Sequence, residues 1–252
     1  MTRVIAVVNQ KGGVGKTTTA VNLTAALKDL GKRVLLCDFD PQANATSGLG
    51  VEKRKLNNSV YDVVVNGIPA KQAIVSTKFG DVLPSTADLA GAAVELISME
   101  QPSMRLKNAL QPILGDYDVI FIDCPPSLEM LTLNALAAAD SILVPVQCEY
   151  YALEGLTDLM NTLRIVKKKL NPSLEIFGVA LTMFDGRTNF STQVAQEVRK
   201  HFPGKVFATM IPRNVRLAEA PSHGVPVTVY DRLSRGAAAY KAMAEEIYAK
   251  LI

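Results

Sequence analysis

Short apolar runs alternate with segments of helical periodicity along most of this chain of 252 residues. Runs typical of buried strands occupy residues 4–8, 33–39, 82–83, 119–122, 141–146, 177–183 and 206–211. Apolar positions near helical spacing occupy residues 16–30, 60–65, 70–75, 87–99, 104–114, 128–139, 153–170, 192–202 and 235–251. Strands that alternate with helices predict an α/β fold, with a mostly parallel twisted sheet covered by helices on both faces. Since no repeat, low-complexity tract or Gly/Ser linker divides the chain, we predict a single domain over residues 1–252.

A glycine-rich turn, NQKGGVGKTTT at residues 9–19, joins the first predicted strand to the first predicted helix. Glycines let the backbone fold tightly enough for successive N–H groups to point at phosphate oxygens, and the start of the helix adds its positive dipole end. In such a loop Lys16 reaches the β- and γ-phosphates of a nucleotide, and the Thr17 hydroxyl binds Mg²⁺. The predicted phosphate-binding residues are Gly12, Gly13, Val14, Gly15, Lys16, Thr17 and Thr18.

The loop departs from the usual phosphate-binding pattern at two positions. Gln10 stands where the pattern has its first glycine, and an additional lysine, Lys11, stands at the entrance of the loop. A second lysine beside a triphosphate is useful when it neutralises phosphate charge. Its place at the entrance leaves open whether Lys11 reaches the nucleotide of its own chain.

Three carboxylates follow predicted strands, where ligands of parallel sheets bind. Asp123 comes directly after the apolar run at residues 119–122. P-loop proteins have a carboxylate in the same place, which holds Mg²⁺ directly or through water. Asp38 and Asp40 end the second strand, and the alternation of an extended strand places both side chains on one side. One of them would orient the water shell of the metal and the other the attacking water. A carboxylate with an ordinary pKa of about 3.9 is a weak base, so we expect it to orient water rather than deprotonate it fully.

Composition and charge limit the class of protein. The 48% of hydrophobic and 20% of charged residues are typical of a soluble globular protein, and no apolar run approaches the ~18 residues of a membrane span. Three unevenly spaced cysteines, Cys37, Cys124 and Cys148, with no CxxC pair, indicate reduced thiols in the cytoplasm. Residues 1–150 carry 13 Lys/Arg against 15 Asp/Glu, a net charge of −2, whereas residues 164–235 carry 12 against 5, a net charge of +7. The basic part is either a face that binds a polyanion or a solvated surface.

Five sequence motifs together resemble one protein family. Residues 11–18 read KGGVGKTT, which resembles the deviant Walker A motif of the ParA/MinD family of ATPases. The further motifs are DFDPQ at 38–42, DCPPS at 123–127, PVQCEYYALEG at 145–155 and IPRNVRLAEAPSHG at 211–224. In combination they resemble the chromosomal ParA proteins, also called Soj, over essentially the whole chain. The resemblance implies a P-loop NTPase-like fold and slow, partner-stimulated hydrolysis, with ATP and Mg²⁺ as cofactors.

The resemblance also implies how the site works. Lys11 would reach across a homodimer interface to the ATP of the partner protomer, while Lys16 serves the nucleotide of its own chain. Asp40 would be the carboxylate tied to hydrolysis, which makes Lys11, Lys16 and Asp40 the expected catalytic residues. The expected magnesium site consists of Thr17 and Asp123, supported indirectly by Asp38.

Further contacts beyond the loop follow from the same resemblance. Pro212 and Asn214 would lie near the adenine, and residues 125–127 would sense the γ-phosphate. Arg187 and Arg216 would contact phosphates of double-stranded DNA without reading its bases, so that binding is nonspecific and strongly salt-dependent. Further candidates for DNA contact are Arg213, Arg235 and the lysine run at 167–169. A structural or nucleotide-side role stays open for Arg213, and a solvated helix end stays open for the lysine run.

Two neighbouring branches of the family depend on residues that this chain does not have in the corresponding positions. The nitrogenase iron-protein branch needs cysteines that bridge a [4Fe–4S] cluster, and the three cysteines of this chain stand in other positions. MinD-type members carry a basic amphipathic C-terminal helix for the membrane. Here Lys241 and Lys250 are offset by Glu245 and Glu246, which favours a terminal helix docked on the sheet.

We therefore expect a cytoplasmic, nucleoid-associated ATPase without a membrane partner. By resemblance it would partition chromosomes together with a ParB-like centromere-binding protein, and it would influence replication initiation. The alternatives are a MinD-like membrane-associated positioning ATPase and a plasmid- or cargo-positioning ParA relative.

Overall fold

The computed structural model describes residues 2–127, 129–149 and 152–251, without the side chains of residues 152–155. Within this part lie seven strands: β1 Arg3–Val7, β2 Val34–Asp38, β3 Val75–Thr77, β4 Gly80–Leu83, β5 Val119–Asp123, β6 Ser141–Gln147 and β7 Glu175–Thr182. The α-helices of this part are α1 Lys16–Asp29, α2 Asn44–Gly48, α3 Val60–Val64, α4 Ala70–Ala73, α5 Leu89–Glu95, α6 Arg105–Leu110, α7 Met130–Ala138, α8 Ala152–Lys169, α9 Asn189–His201, α10 Val215–Glu219, α11 Val227–Tyr230 and α12 Arg235–Leu251. Leu128, where a helix is predicted to begin, and the motif residues Tyr150 and Tyr151 lie outside the described residues.

A seven-stranded sheet with the strand order β3-β4-β2-β5-β1-β6-β7 forms the centre of the described structure. Every neighbouring pair is parallel except β3 and β4. β5 lies between β1 and β2, and its register places Asp123 opposite Val7 of β1 and Asp38 of β2. The turn after β1 and the two carboxylates therefore meet at the carboxyl edge of the sheet. The predicted P-loop NTPase-like α/β fold is confirmed.

Side chains of the central strands alternate between two apolar cores, one on each face of the sheet. In β1, Val4 and Ala6 belong to one core, and Ile5 and Val7 belong to the other. Helices α3, α5, α6, α7, α8 and α9 contribute to the first core, and α1 and α12 contribute to the second. Because both faces are covered, the central strands are apolar throughout, as the sequence indicates.

The last helix, α12, is docked on the sheet as predicted. Its apolar stripe of Tyr240, Met243, Ala244 and Ile247 is fully buried. The Tyr240 hydroxyl lies 3.0 Å from the Thr19 hydroxyl of α1, which joins the two helices. This stripe is therefore not available to a membrane surface. Among the described residues, no helix has both the length and the apolar character that crossing a bilayer requires.

The predicted strand at residues 206–211 is wrong. Isolated bridges pair Val206, at the start of this segment, with β7, and Pro212, just beyond its end, with Phe184. Between them, the backbone N–H groups of Ala208 and Thr209 donate to the carboxylate of Glu246 on α12, at 2.8 and 2.7 Å. Because Glu246 takes these donors, the segment does not form a continuous ladder with β7.

An edge strand, β3, occupies residues that the periodicity does not assign to a strand. The periodicity predicts one helix over residues 70–75, but α4 ends at Ala73 and the chain continues into β3. The Thr77 hydroxyl donates to the Gly80 carbonyl at 2.7 Å and accepts from the Phe79 N–H at 3.0 Å. These bonds fix the turn that returns the chain into β4. The helices α2, α10 and α11 span four or five residues each, and the periodicity does not predict them.

Candidate nucleotide site and arginine groove

The glycine-rich turn between β1 and α1 uses left-handed backbone conformations. Gly13 has a φ of 74°, and Gly15, which caps α1, has a φ of 90°. Residues with a side chain rarely adopt this region, so both positions favour glycine. A Cβ atom at Gly12 or Gly13 would meet no heavy atom within 4 Å beyond its chain neighbours. This side of the loop is therefore open to a ligand.

Hydrogen bonds fix the loop to the ends of neighbouring strands. The Asn9 side chain donates to the Pro145 carbonyl of β6 at 2.7 Å and accepts from the Lys11 N–H at 3.0 Å. On the far side, the Thr182 hydroxyl at the end of β7 donates to the Val14 carbonyl at 2.8 Å. The sequence does not single out Thr182, because its partner is remote in the chain. The loop is thus held in shape before any ligand binds, which lowers the cost of ordering it.

The two lysines of the loop diverge. Lys16 is buried, and its ammonium donates to the backbone carbonyl of Lys11 at 3.1 Å, within the loop. Burial lowers the pKa of Lys16, and nearby acidic groups, led by Asp123, offset part of this effect. The ammonium of Lys11 instead lies 3.8 Å from Oε2 of Glu149, at the end of β6, and a third of the Lys11 side chain is exposed. Lys16 therefore serves the loop itself, whereas Lys11 is engaged outside it.

Asp123 is a fully buried carboxylate, and neither of its oxygens has a hydrogen-bond partner among the described residues. The Thr17 hydroxyl lies near it, outside normal hydrogen-bond geometry. Burial, and next the charge of Asp38, raises the pKa of Asp123 well above its usual range. An unpartnered carboxylate beside a hydroxyl at a phosphate loop fits Mg²⁺, which takes one or two protein oxygens and keeps several waters. In the part of the chain described, no cluster of three or more His, Cys, Asp or Glu is suited to a metal. This agrees with a site that supplies only one or two protein ligands.

Asp38 and Asp40 lie at the same edge of the sheet in different surroundings. Oδ2 of the fully buried Asp38 accepts from the N–H and the hydroxyl of Thr46, both at 2.7 Å, and its Oδ1 accepts from the Asp40 N–H at 3.3 Å. Burial raises the pKa of Asp38 to about 6, against the opposing effect of the Thr46 hydrogen bonds. Asp40 in turn accepts from the Gln42 N–H at 2.9 Å. Asp38 therefore holds the start of α2 and the backbone of Asp40 in place. No local sequence pattern reveals this contact between Asp38 and Thr46.

A cavity of about 370 Å³ opens beside the start of α1. Its wall combines the loop with the predicted adenine segment and includes Gly15, Thr18, Pro212 and Asn214. The Asn214 side-chain oxygen accepts from the Arg216 N–H at 2.9 Å and caps α10, which fixes this side chain at the wall. Met183 also lines the cavity and has a positive φ of 51°, a strained conformation of a kind that clusters at binding sites.

All four arginines predicted to contact DNA line one surface groove. This arginine groove has a volume of about 990 Å³ and is formed by residues 184–187, 212–216, 231 and 233–235. The arginines are Arg187, Arg213, Arg216 and Arg235. They come from three separate stretches of chain, so only the fold brings them together. Residues 212–215 line both the groove and the 370 Å³ cavity, so the two adjoin.

Three of these arginines form ion pairs with carboxylates. Arg187 Nη2 lies 2.7 Å from Asp185 Oδ2, and its Nε donates to Asp185 Oδ1 at 2.9 Å. Arg213 lies 3.2 Å from Glu149, which also pairs with the loop lysine. The third pairing is between Arg216 and two carboxylates, Glu219 at 2.8 Å and Asp231 at 3.2 Å.

The lysine run at 167–169 lies away from the groove. It ends α8, which leads into the amino end of β7, whereas the groove begins beyond the carboxyl end of β7. Eight residues of extended strand separate the two edges by about 25 Å. The structure therefore does not bring this run together with the arginines.

The remaining motif residues make few contacts that bear on a function. Pro125 is buried, Pro126 is exposed, and the Ser127 carbonyl accepts a hydrogen bond from the Thr132 hydroxyl of α7. Their part in sensing a γ-phosphate stays a prediction. The three cysteines are buried free thiols, and burial raises the pKa of each, so nothing activates them.

Known proteins are similar to nearly the whole chain. The model of the AAA domain family matches residues 2–176. The sporulation initiation inhibitor protein Soj of Bacillus subtilis is 56% identical over 251 residues, which cover 99% of each chain. The chromosome partitioning protein ParA of Myxococcus xanthus is 51% identical, with 97% of this chain and 87% of the relative covered. Among solved structures, cobyrinic acid a,c-diamide synthase from Mycobacterium smegmatis with bound ADP and magnesium has a TM-score of 0.86 and 40% identity, over 98% of this chain and 94% of that one.

Substitution of Asp123 by Asn should stabilise the ligand-free protein. Asn keeps the shape but removes a buried carboxylate that has no partner, so we expect the free energy of unfolding at pH 7 to rise by about 1–3 kcal/mol. Urea unfolding without nucleotide or Mg²⁺ measures this change, and the exposed Asp88→Asn is the matched control. The same Asp123→Asn variant should lose most of the gain in nucleotide affinity that Mg²⁺ provides. A less stable ligand-free variant would contradict the interpretation that Asp123 awaits a cation.

Proposed function

Because this chain belongs to the ParA/Soj family of P-loop ATPases, we propose that it forms an ATP-dependent dimer that binds duplex DNA nonspecifically and partitions chromosomes with a ParB-like partner. ATPase activity and a role in chromosome partitioning are the properties that the family carries as a whole. The dimer, the DNA contact and the partner are our proposal for how this chain carries them out.

ATP and Mg²⁺ are the cofactors, and the structural relative with 40% identity holds ADP and magnesium. Bound Mg²⁺ supplies positive charge at the β- and γ-phosphates. We assign its protein ligands to the Thr17 hydroxyl and the Asp123 carboxylate, because that carboxylate is buried and unpartnered. Asp38 acts indirectly, since both of its oxygens already accept hydrogen bonds. Lys16 binds the phosphates of its own chain's nucleotide.

Hydrolysis is assigned to Asp40. Its backbone is held by Asp38 and its carboxylate accepts from the Gln42 N–H, so its orientation is fixed beside the phosphate loop. A carboxylate in this place orients the attacking water without removing its proton completely. Turnover by this chain alone is therefore slow, which leaves room for stimulation by a partner.

The divergence of the two lysines is the observation that carries the proposal of a shared site. A lysine that served its own nucleotide would lie inside the loop, as Lys16 does. Lys11 is a third exposed and pairs with Glu149 at 3.8 Å, a distance typical of a weak ion pair that a stronger anion can replace. The phosphates of a nucleotide in a second protomer are such an anion. Lys11 would then act in trans, as an arginine finger does.

The arginine groove supports the proposed DNA contact. It gathers Arg187, Arg213, Arg216 and Arg235, and it adjoins the cavity assigned to the adenine, with Pro212 and Asn214 in its wall. Dimerisation would join two such grooves into one surface, which doubles the phosphate contacts and makes DNA binding depend on ATP. The lysine run at 167–169 is left out of this surface because it lies at the opposite edge of the sheet.

The stimulating partner and the wider role rest on family membership. A ParB-like centromere-binding protein would accelerate hydrolysis on the dimer and release it from DNA. An influence on replication initiation belongs to the same proposal. A MinD-like membrane role is disfavoured by the burial of the apolar stripe of α12. A plasmid or other cargo is the remaining alternative, and it shares the chemistry proposed here.

Substitutions of the two lysines should separate nucleotide binding from dimerisation. Lys16→Ala should lose ATP binding, because the phosphates lose their internal cation. Lys11→Ala should bind ATP within about threefold of the unchanged chain, since one weak surface contact is removed, but it should remain a monomer with ATP and Mg²⁺. Equilibrium titration of a fluorescent ATP analogue and light scattering measure the two properties. Lys71→Ala, another exposed lysine with a carboxylate partner, is the control. A Lys11→Ala chain that dimerises normally with ATP would contradict the shared site.

Arg187→Glu should weaken DNA binding in the ATP state by about tenfold or more at moderate salt, because each protomer loses a phosphate contact and gains a repulsive charge. Its side chain is 90% exposed, so the fold and ATP-driven dimerisation should be unaffected. Arg33→Glu is a matched control, since Arg33 forms a similar pair with Asp118 at the opposite edge of the sheet. Arg216→Glu is a less clean test, because it would leave three carboxylates together. Equal DNA affinity of the Arg187 and Arg33 variants, measured by fluorescence anisotropy, would remove Arg187 from the interface.

A further inference from the structure

The arginine groove is less positive than the sequence suggests. Residues 164–235 carry a net charge of +7. At the groove itself, however, three of the four arginines are paired with four carboxylates. These carboxylates are Asp185, Glu149, Glu219 and Asp231. Asp185 and Asp231 line the groove, and Glu149 and Glu219 pair with its arginines from beside it, so these carboxylates offset much of the positive charge of the arginines.

Asp185 occupies the part of the Arg187 guanidinium that a phosphate would use. Two parallel hydrogen bonds, from Nε at 2.9 Å and Nη2 at 2.7 Å, fill one edge of the arginine fork. The Arg187 N–H also donates to Asp185 at 3.1 Å, so the two residues form a closed local unit. Carboxylate and phosphate both bind this edge bidentately, so they exclude each other there.

Arg216 is held in a similar way by two carboxylates. Glu219 accepts from Nη1, and Asp231 lies against Nε. Glu219 also accepts from the Tyr230 hydroxyl at 3.2 Å, and Asp231 accepts from the Leu233 N–H at 3.2 Å. These added bonds keep both carboxylates at the groove, so a phosphate has to compete with anions that the fold holds in place.

Two of these carboxylates, Asp185 and Glu219, remain charged under the conditions in which DNA binds. The hydrogen bonds from Arg187 lower the pKa of Asp185 to about 2, and those from Arg216 are the main cause that lowers the pKa of Glu219. The ion pairs are exposed, so each is weak enough for a phosphate to displace. Several weak competitors in one groove still reduce its affinity, because each phosphate contact replaces an existing contact.

We propose that Asp185, Glu219 and Asp231 are intramolecular competitors of the DNA phosphates, and that they keep the DNA affinity of a single protomer low. This inference rests on the proposed DNA contact and adds to it the residues that set its strength. Because three of the four arginines are already paired, contacts with DNA phosphates add little binding free energy at one groove. Two grooves joined in a dimer reach useful affinity through the number of contacts. The carboxylates would thus make DNA binding depend more sharply on ATP.

Asp185→Asn is the direct test, and Asp118→Asn is its matched control. Asp118 binds Arg33 through the guanidinium and the backbone N–H, as Asp185 binds Arg187, but at the opposite edge of the sheet. We expect Asp185→Asn to bind a fluorescent duplex about 3–10-fold more tightly in the ATP state, and to retain more DNA without nucleotide, whereas Asp118→Asn changes affinity less than twofold. Glu219→Gln, which keeps a hydrogen-bond acceptor for Tyr230, should shift affinity in the same direction.

A double-mutant cycle distinguishes competition from a general change of charge. In an Arg187→Gln background, Asp185→Asn should lose most of its effect, because the arginine that it releases is absent. An unchanged affinity of Asp185→Asn in the normal background would overturn the inference. A weaker affinity would overturn it as well and would indicate that Asp185 positions Arg187 for DNA. An effect of equal size for Asp118→Asn, or in the Arg187→Gln background, would overturn it as well. If the unchanged chain fails to bind duplex DNA with ATP at low salt, the proposed DNA contact fails, and this inference fails with it.

Discussion

A cluster of buried carboxyl groups at the carboxyl edge of the sheet governs the rest of this structure. Asp38 and Asp123 lie side by side in register, both fully buried, and Asp40 and the buried ammonium of Lys16 lie near them. Removing like charges from water is costly, and the fold offers Asp123 no hydrogen-bond partner among the described residues. Such a site is complete only when cationic and phosphate groups arrive together. On the proposed assignment, Mg²⁺ and ATP would relieve the cost of burying these carboxyl groups.

The same edge connects the nucleotide to the proposed DNA surface. Residues 212–215 line both the cavity beside α1 and the arginine groove. Asn214 is the clearest link, because its side chain lies in the cavity wall while it caps the helix that carries Arg216. A nucleotide that moves Asn214 would also move Arg216. Glu149 offers a second link, since it pairs with Lys11 at the loop and with Arg213 in the groove. These contacts would give a short physical route from the nucleotide to the proposed DNA surface.

Local sequence patterns were sufficient for the parts of the molecule that depend on neighbours in the chain. The apolar strands, the loop with its glycines and the carboxylates that follow strand ends could be predicted, because alternation and turn chemistry act over a few residues. Contacts between remote segments could not. Glu246 removes the donors of Ala208 and Thr209 and so prevents a predicted strand, and Thr46 holds Asp38 from a helix of five residues. The carboxylate partners of Arg187 and Arg216 also became visible only in three dimensions, and they offset much of the positive charge of the groove.

The central claim is that each phosphate loop is half of a site that a second protomer completes. The dependence of ATP turnover per protomer on protein concentration tests it most directly, without any substitution. For a shared site, turnover per protomer should rise with concentration in the dilute range and reach a plateau once dimers dominate, in parallel with a doubling of the 27.2 kDa mass measured by sedimentation. Turnover per protomer that stays constant from the most dilute to the most concentrated sample, at the mass of a monomer, would contradict the claim.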